Sequence, residues 1–267
     1  MIKATVSGAA GRMGRAIIGA MHTADGISLI GALERKGHPA LGQDAGRLAG
    51  KGDLGIPLVS EIAPLLKEAD VLIDFTAPDA ALQSVEACAK ADTPAVVGTT
   101  GLSSDQVTSM TLFSRTIPVV LAPNMSVGVN LLFKLAETAA RSLGDGYDVE
   151  IIEAHHRLKK DAPSGTAMRL AEVVAGALGR DLDRTACYSR RGIIGERGKD
   201  EIGIQTIRAG DIVGEHTLIL AGPGERLELT HRAHNRDNFA LGAIRAARWV
   251  VNQPAGLYTM ADVLGLG

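Results

Sequence analysis

The sequence predicts an α/β fold with two domains, a parallel β-sheet covered by helices and a smaller α+β domain. Two observations predict this fold class. In the first half of the 267 residues, apolar runs typical of buried strands alternate with segments of helical periodicity, as in β–α–β units. After about residue 124 this alternation stops, and strand patterns then follow one another without intervening helices. A chain of this length commonly forms one large or two medium domains.

The hydrophobic period justifies each element of the first half. In the first helix, Met13, Ile17 and Met21 recur at helical spacing, whereas the segment before it is a short strand-like run that ends at a glycine. By the same criteria we predict strands at residues 2–7, 27–33, 56–59, 71–75, 94–97 and 117–121. We predict helices at residues 12–23, 61–68, 80–91 and 103–114.

The second half begins with a long amphipathic helix, after which strands dominate. We predict helices at residues 129–143, 164–178 and 237–251, and strands at residues 147–155, 202–209, 215–221 and 226–231. Because no helix separates the last three strands, we expect a mostly antiparallel or mixed sheet. A polar loop, residues 156–163, joins the first of these strands to the second helix. The change of pattern places the end of the first domain near residue 126.

Composition excludes several classes of protein. The chain has 28 Lys and Arg against 30 Asp and Glu, so its net charge of −2 gives no basic field for nucleic acid. No apolar run approaches the ~20 residues that span a bilayer, and the first residues lack the pattern of a signal peptide. Cys88 and Cys187 are far apart and form no metal-binding pair. We therefore expect a cytoplasmic protein with no membrane, nucleic-acid or metal partner.

A glycine-rich turn separates the first predicted strand from the first helix. Such a turn lets a pyrophosphate approach the free amide groups at the start of a helix. Glu34 ends the second strand, 20 residues after Gly14, where an acid can bind the ribose hydroxyls. An ordinary strand–helix turn is the alternative. The predicted cofactor contacts in the turn are Gly8, Ala9, Ala10, Gly11, Arg12 and Met13.

The residue after Glu34 bears on the choice of cofactor. An acid alone favours NADH, because it repels a 2′-phosphate, whereas Arg35 can pair with that phosphate in NADPH. We therefore predict that NADH or NADPH can serve, although Arg35 could also be a solvated side chain without a role. Two further strand ends point to the same crevice, and each alone is equally typical of a plain turn. Their residues are Gly98, Thr99, Thr100, Ala122, Pro123, Asn124 and Met125.

A basic loop and a helix start form the second candidate site. The loop follows a strand and carries His155, His156, Arg157, Lys159 and Lys160, which favours a small dicarboxylate substrate. The following helix begins at Ser164-Gly165-Thr166, where free amide groups can bind a carboxylate. A solvated loop with simple helix caps is the alternative. The two adjacent histidines lack a third ligand, so no metal site is predicted.

The whole chain resembles the 4-hydroxy-tetrahydrodipicolinate reductase family of lysine biosynthesis. The most specific match is Glu153-Ala154-His155-His156, continued by Lys159 and by the segment from Asp161 to Thr166. Further matches are the glycine turn, Ile73-Asp74-Phe75-Thr76, Gly98-Thr99-Thr100-Gly101, the segment 122–130 and the segment 208–216. Met125 is a small departure, since phenylalanine is frequent at that position in the family.

The resemblance implies a reaction, an architecture and roles for named residues. The reaction is the reduction of 4-hydroxy-tetrahydrodipicolinate to tetrahydrodipicolinate by NADH or NADPH. The architecture is a homotetramer with a Rossmann-type dinucleotide-binding domain (1–126), a substrate-binding and tetramerisation domain (127–235) and a C-terminal segment (236–267) that returns to the first domain. His155 and Lys159 are implied to be catalytic. The implied substrate contacts are His156, Lys160, Gly165 and Thr166.

Two alternatives from other classes share part of this pattern. Another two-domain amino-acid dehydrogenase, such as an aspartate or homoserine dehydrogenase, would share the glycine turn but has no reason to carry the histidine–lysine motif. A non-catalytic dinucleotide sensor would keep the glycines and lose the pair formed by His155 and Lys159. Because the pair is present, both alternatives are disfavoured.

Overall fold

The computed structural model describes residues 1–266, and these form twelve strands and ten helices. The strands are β1 (Ile2–Ser7), β2 (Ile27–Leu33), β3 (Leu58–Val59), β4 (Val71–Asp74), β5 (Ala95–Val97), β6 (Pro118–Leu121), β7 (Asp148–His155), β8 (Ala186–Cys187), β9 (Ile202–Arg208), β10 (Gly214–Gly222), β11 (Glu225–Ala233) and β12 (Gly256–Tyr258). The helices are α1 (Arg12–Met21), α2 (Ala45–Leu48), α3 (Ala63–Leu66), α4 (Pro78–Lys90), α5 (Ser104–Phe113), α6 (Val127–Leu143), α7 (Gly165–Leu178), α8 (Leu182–Thr185), α9 (Asp237–Val250) and α10 (Met260–Leu264).

The chain divides into two compact units, the first formed by residues 1–127 and 236–267 and the second by residues 128–235. The sequence prediction places these breaks after residues 126 and 235. Both borders coincide with the change from alternating strands and helices to consecutive strands, and with its reversal at the last helix.

The first unit contains a seven-stranded parallel sheet in the order β12-β6-β5-β4-β1-β2-β3. Apolar residues of α1 and α9 pack on one face, and those of α4 and α5 pack on the other. The strand order reverses at β1, since β2 lies on one side of it and β4 on the other. In such sheets the crevice for a ligand opens at the carboxyl ends of the strands beside the reversal.

The second unit contains a five-stranded mixed sheet in the order β11-β10-β7-β9-β8. The strand β7 runs antiparallel to β10 and parallel to β9. One face of this sheet packs against α6 and α7 and forms the core of the unit. The opposite face carries Ile152, Ile207 and Ile219, which alternate with the core residues and remain partly exposed. This unit therefore has an apolar sheet face that its own core does not use.

The α/β fold class and the mixed second sheet are confirmed, whereas several predicted bounds are wrong. The helix predicted at 12–23 ends at Met21, and the helix predicted at 61–68 is only the four residues of α3. The strand predicted at 56–59 is only the two residues of β3. The short elements α2, α8, α10, β8 and β12 were not predicted. Elements of two to five residues are too short to show a hydrophobic period, so only pairing and packing determine them. Among the described residues no helix is long and apolar enough to span a membrane.

Candidate active site

The turn between β1 and α1 brings backbone into very close contact. Gly8 has φ = +76°, a conformation that favours glycine. At Gly14 a Cβ atom would lie 2.2 Å from the carbonyl oxygen of Gly8 and 2.7 Å from the Cα of Ala9, so helix and turn touch there. The N-cap of α1 is Gly11, which supplies no side-chain hydrogen bond to the first amide groups. The helix start thus has the bare backbone that a phosphate group needs.

A cleft of about 430 Å³ opens at the carboxyl ends of the first sheet. It is lined by Gly11, Arg12, Met13, Phe75, Thr76, Gly98, Thr99, Thr100, Pro123, Asn124, Met125, Arg236 and Phe239. Nine of these were predicted as cofactor contacts from the sequence. The other six predicted contacts, Gly8, Ala9, Ala10, Glu34, Arg35 and Ala122, lie outside this lining. Cleft and bare helix start together fit a dinucleotide.

Glu34 is tied to the glycine turn. The amide of Ala10 donates to its Oε2 at 3.2 Å, and the amide of Arg35 donates to its Oε1 at 3.0 Å. The Glu34 side chain is half-buried, whereas Arg35 is exposed. The carboxylate therefore lies beside the turn, where Glu34 is predicted to bind the ribose hydroxyls.

A buried carboxylate holds two of the loops that line the cleft. The Asp74 side chain is fully buried, and its Oδ1 accepts from the hydroxyl groups of Thr76 at 2.7 Å and Thr99 at 3.0 Å. The amide of Thr76 also donates to the hydroxyl of Thr99 at 3.0 Å. Because β4 and β5 are neighbours, this network fixes the loop after each strand relative to the other.

Sequence reasoning missed four residues of the cleft, namely Phe75, Thr76, Arg236 and Phe239. Phe75 and Thr76 directly follow β4, so they could have been predicted in the same way as the residues after the neighbouring strands. No local signal marks Arg236 and Phe239, which reach the cleft because the start of α9 packs there. A Cβ at Gly98 would lie 2.2 Å from the ring of Phe75, so this glycine provides the space for the ring.

In the second unit, a buried glutamate organises the predicted catalytic segment. The Oε2 of Glu153 lies 2.6 Å from the Nδ1 of His155, and its Oε1 accepts from the amide of Ser164 at 3.0 Å. Two guanidinium nitrogens of Arg208 donate to the two oxygens, each at 2.8 Å. Burial raises the pKa of Glu153, but the bonds from His155, Arg208 and Ser164 outweigh it and lower the pKa to about 2. The carboxylate is therefore ionised at neutral pH.

A second histidine packs against the first. The rings of His155 and His216 are edge to face, with centroids 5.2 Å apart. The Ser164 hydroxyl accepts from the amide of Ala167 at 3.2 Å and lies 3.0 Å from the Nε2 of His216. Burial first, and then the charge of a protonated His155, lower the pKa of His216 to about 3. The His216 ring is thus neutral near pH 7, and its Nε2 shares a hydrogen bond with the Ser164 hydroxyl.

The start of α7 and the polar loop lie next to this group. Ser164 caps α7, while Gly165 is exposed in its first turn and Thr166 is half-buried. The Lys159 ammonium lies 2.8 Å from Asp161, and this contact is the main cause that lowers the pKa of Asp161. Arg208 also donates to the backbone carbonyl of Asp161 at 2.6 Å, which ties the loop to β9.

The structure thus groups the predicted residues of the second site around one helix start and one strand end. His156 is half-buried, and Lys160 is exposed on the polar loop. The geometry combines an imidazole, an ammonium group and the first turn of a helix, which are groups suited to proton transfer and to binding a carboxylate. The described residues contain no group of three or more His, Cys, Asp or Glu that could hold a metal ion.

Comparisons with known proteins match both units. The family model described as dihydrodipicolinate reductase, N-terminus, matches residues 2–125, and the one described as dihydrodipicolinate reductase, C-terminus, matches residues 128–264. A 4-hydroxy-tetrahydrodipicolinate reductase of Syntrophus aciditrophicus (strain SB) is 56% identical over 265 residues, 99% of each chain. One from Geobacter sp. (strain M21) is 55% identical over 266 residues, 100% of each chain.

A solved structure shares the fold. The dipicolinate-bound dihydrodipicolinate reductase from Paenisporosarcina sp. TG-14 superposes with a TM-score of 0.79 and 24% identity, covering 98% of each chain. The full-length relatives do not favour the alternatives of another amino-acid dehydrogenase or a dinucleotide sensor. The chain belongs to the dihydrodipicolinate reductase family of NAD(P)H-dependent oxidoreductases, which reduce 4-hydroxy-tetrahydrodipicolinate to tetrahydrodipicolinate in lysine biosynthesis.

Proposed function

We propose that the first unit binds the cofactor through the glycine turn and the cleft, and that the second unit binds and protonates the substrate. The observation that carries this assignment is the contact between the ionised Glu153 and His155 beside the start of α7. It supports the assignment because the proposed proton-handling ring and the proposed anion-binding helix start contact the same carboxylate. NADH or NADPH, when bound, supplies the hydride.

The reduction consumes one proton and releases water, so the second unit must supply a proton donor. The Nδ1 of His155 faces Glu153, which leaves its Nε2 to exchange protons with the substrate. Lys159 carries the second mobile proton, and its ammonium group pairs with Asp161 at 2.8 Å. His155 and Lys159 are the proposed catalytic residues.

Substrate binding relies on positive charge and on the amide and hydroxyl groups at the start of α7. We assign one carboxylate of the dicarboxylate substrate to Gly165 and Thr166 in the first turn of α7. His156 and Lys160 are the proposed contacts from the polar loop. The dipicolinate bound in the solved relative is itself a planar dicarboxylate, which supports this class of ligand.

The assignment is tested with the purified protein. We expect NADH oxidation when the fresh condensation product of aspartate semialdehyde and pyruvate is added, and inhibition by dipicolinate. Calorimetric titration should show that Thr166→Val weakens dipicolinate binding while NADH binding is unchanged. Binding of dipicolinate that is insensitive to Thr166 would contradict the assignment to the start of α7.

Cofactor choice should depend on Glu34 and Arg35. A charge-assisted hydrogen bond contributes about 1.5–3 kcal/mol, so losing one changes affinity by about ten- to a hundredfold. Arg35→Ala should raise KM for NADPH more than for NADH, because it removes the partner of the 2′-phosphate. Glu34→Ala should do the reverse. Values of kcat/KM for NADH and NADPH in both variants test this. Equal losses for the two cofactors in both variants would show that Glu34 and Arg35 do not contact the cofactor.

Assembly and location extend the same proposal. The uncovered face of the second sheet carries Ile152, Ile207 and Ile219, and covering it in a homotetramer would bury these side chains. Sedimentation should then give four times the 27.8 kDa of one chain, and a monomer at micromolar concentration would contradict it.

We place the protein in the cytoplasm. Cys88 and Cys187 are both free thiols, in keeping with a reducing compartment, and cell fractionation tests this location.

A further inference from the structure

One carboxylate contacts the His155 ring, the guanidinium of Arg208 and the start of α7. Glu153 is fully buried near the end of β7, yet it is ionised because His155, Ser164, Arg208 and the hydroxyl of Thr206 all face its two oxygens. Its Oε2 faces His155 and one nitrogen of Arg208, and its Oε1 faces the Ser164 amide and the other nitrogen of Arg208. Burying a charge in this way is costly unless each oxygen is satisfied, as it is here.

We propose that Glu153 is a positioning residue, which sets the tautomer of His155 and holds it at a constant position relative to the start of α7. The proposal rests on the proposed role of His155 in proton transfer. It assigns to Glu153 no contact with the substrate.

The tautomer follows from the donors and acceptors. An ionised carboxylate can only accept, so the Nδ1 of His155, 2.6 Å away, must carry the hydrogen. The Nε2 then holds the lone pair in the neutral ring and the exchangeable proton in the charged ring. Glycine at position 214 leaves space beside this nitrogen, since a Cβ there would lie 3.0 Å from Nε2. The opposite tautomer would carry its lone pair on Nδ1, so the ring could not take up at Nε2 the proton that it delivers to the substrate.

Among the groups around the His155 ring, Glu153 is the anion that contacts it. From β10, His216 packs on the ring in its neutral form. From β9, Arg208 is shared with Glu153 and with the carbonyl of Asp161. Within the polar loop, Lys159 pairs with the carboxylate of Asp161. The carboxylate that orients the ring is therefore also the group that faces its Nδ1, as in other histidine–carboxylate pairs.

The same carboxylate fixes the start of α7. Its Oε1 accepts from Ser164, the N-cap residue, whose hydroxyl in turn bonds to His216. The amide groups that follow Ser164 are those assigned to a substrate carboxylate. The distance from the substrate carboxylate to His155 is thus determined by the buried side chain of Glu153. Small errors in such distances reduce the rate of catalysis.

The test uses Glu153→Gln in the full-length protein. Glutamine offers one oxygen and one NH₂ group. Its oxygen should take the Oε1 position, where Ser164 and Arg208 both donate, so its NH₂ should face the Nδ1 of His155 and force the hydrogen to Nε2. Nitrogen NMR of histidine-labelled protein, without substrate, reports the tautomer of the neutral ring, and His155→Gln identifies the signal. We expect kcat to fall by about 10²-fold, because Nε2 can no longer take up the proton that it donates, while KM changes less.

Two control variants separate positioning from stability. Glu150→Gln changes another glutamate of β7, which hydrogen-bonds Arg190 and Arg197, and should leave both the tautomer and kcat unchanged. Arg208→Lys weakens the ion pair but keeps Glu153 ionised, so the tautomer should persist and kcat should fall less than in Glu153→Gln.

Two results would overturn the proposal: an unchanged tautomer in Glu153→Gln, or equal losses of kcat in Glu153→Gln and Arg208→Lys with no change of tautomer in either. If His155→Ala retains full kcat, the proposed role of His155 is wrong. The NMR spectra of the resting protein still decide in that case whether Glu153 sets the tautomer.

Discussion

Replacement of His155 by alanine is expected to lower kcat by about 10²- to 10⁴-fold, the usual contribution of a positioned proton donor. Lys159→Ala should cause a loss in the same range. The fold should survive, since His155 ends a strand and Lys159 lies on a polar loop. Steady-state kinetics with saturating NADH measure the loss, and circular dichroism checks the fold.

Matched controls lie in the same unit. His234→Ala and Lys199→Ala remove exposed side chains of the same types and should leave kcat unchanged. NADH binding should be normal in all four variants, because these residues belong to the second unit. Near-normal kcat in both His155→Ala and Lys159→Ala would show that neither group handles the proton.

Gly14→Ala should damage both the stability and the cofactor affinity of the first unit. The added Cβ would meet backbone atoms, the Gly8 oxygen at 2.2 Å and the Ala9 Cα at 2.7 Å, so turn and helix must separate. Such overpacking typically costs about 1–3 kcal/mol. NADH affinity should fall by about ten- to a hundredfold if one hydrogen bond to a charged group is lost. Denaturant unfolding and calorimetric titration with NADH measure the two effects.

A second helical glycine provides the control. Gly176 lies in α7 with no atom within 4 Å of an added Cβ. Gly176→Ala should therefore stabilise the protein by about 0.5–1 kcal/mol, because alanine favours the helix. It should leave NADH affinity unchanged. If Gly14→Ala were to behave like Gly176→Ala, the close contact of turn and helix would not matter for cofactor binding.

Local patterns in the sequence determined the long elements and the glycine turn between the first strand and the first helix. The helix α1 is recognisable because the period of its apolar residues reflects which face is buried. The strand β1 is recognisable as a short, mostly buried run that ends at a glycine. The glycine turn between them needs only a bare backbone, and this property is visible in single residues. Ser164 is likewise a local signal, since it caps α7 with its own hydroxyl. Such features depend on neighbours a few residues away, so they could be predicted without the fold.

Only the tertiary structure decided which distant groups meet. In the sequence Glu153 is one alternating residue of a strand. In the structure it forms an ion pair with Arg208 of β9. The two side chains meet because Arg208 is the register partner of His155, which lies two residues after Glu153 on β7. His216 arrives from β10 in the same way. Arg236 joins the cleft because the chain returns to the first unit. Strand pairing and helix packing join residues that are 50 or more positions apart, and no local pattern of polar and apolar residues encodes such contacts.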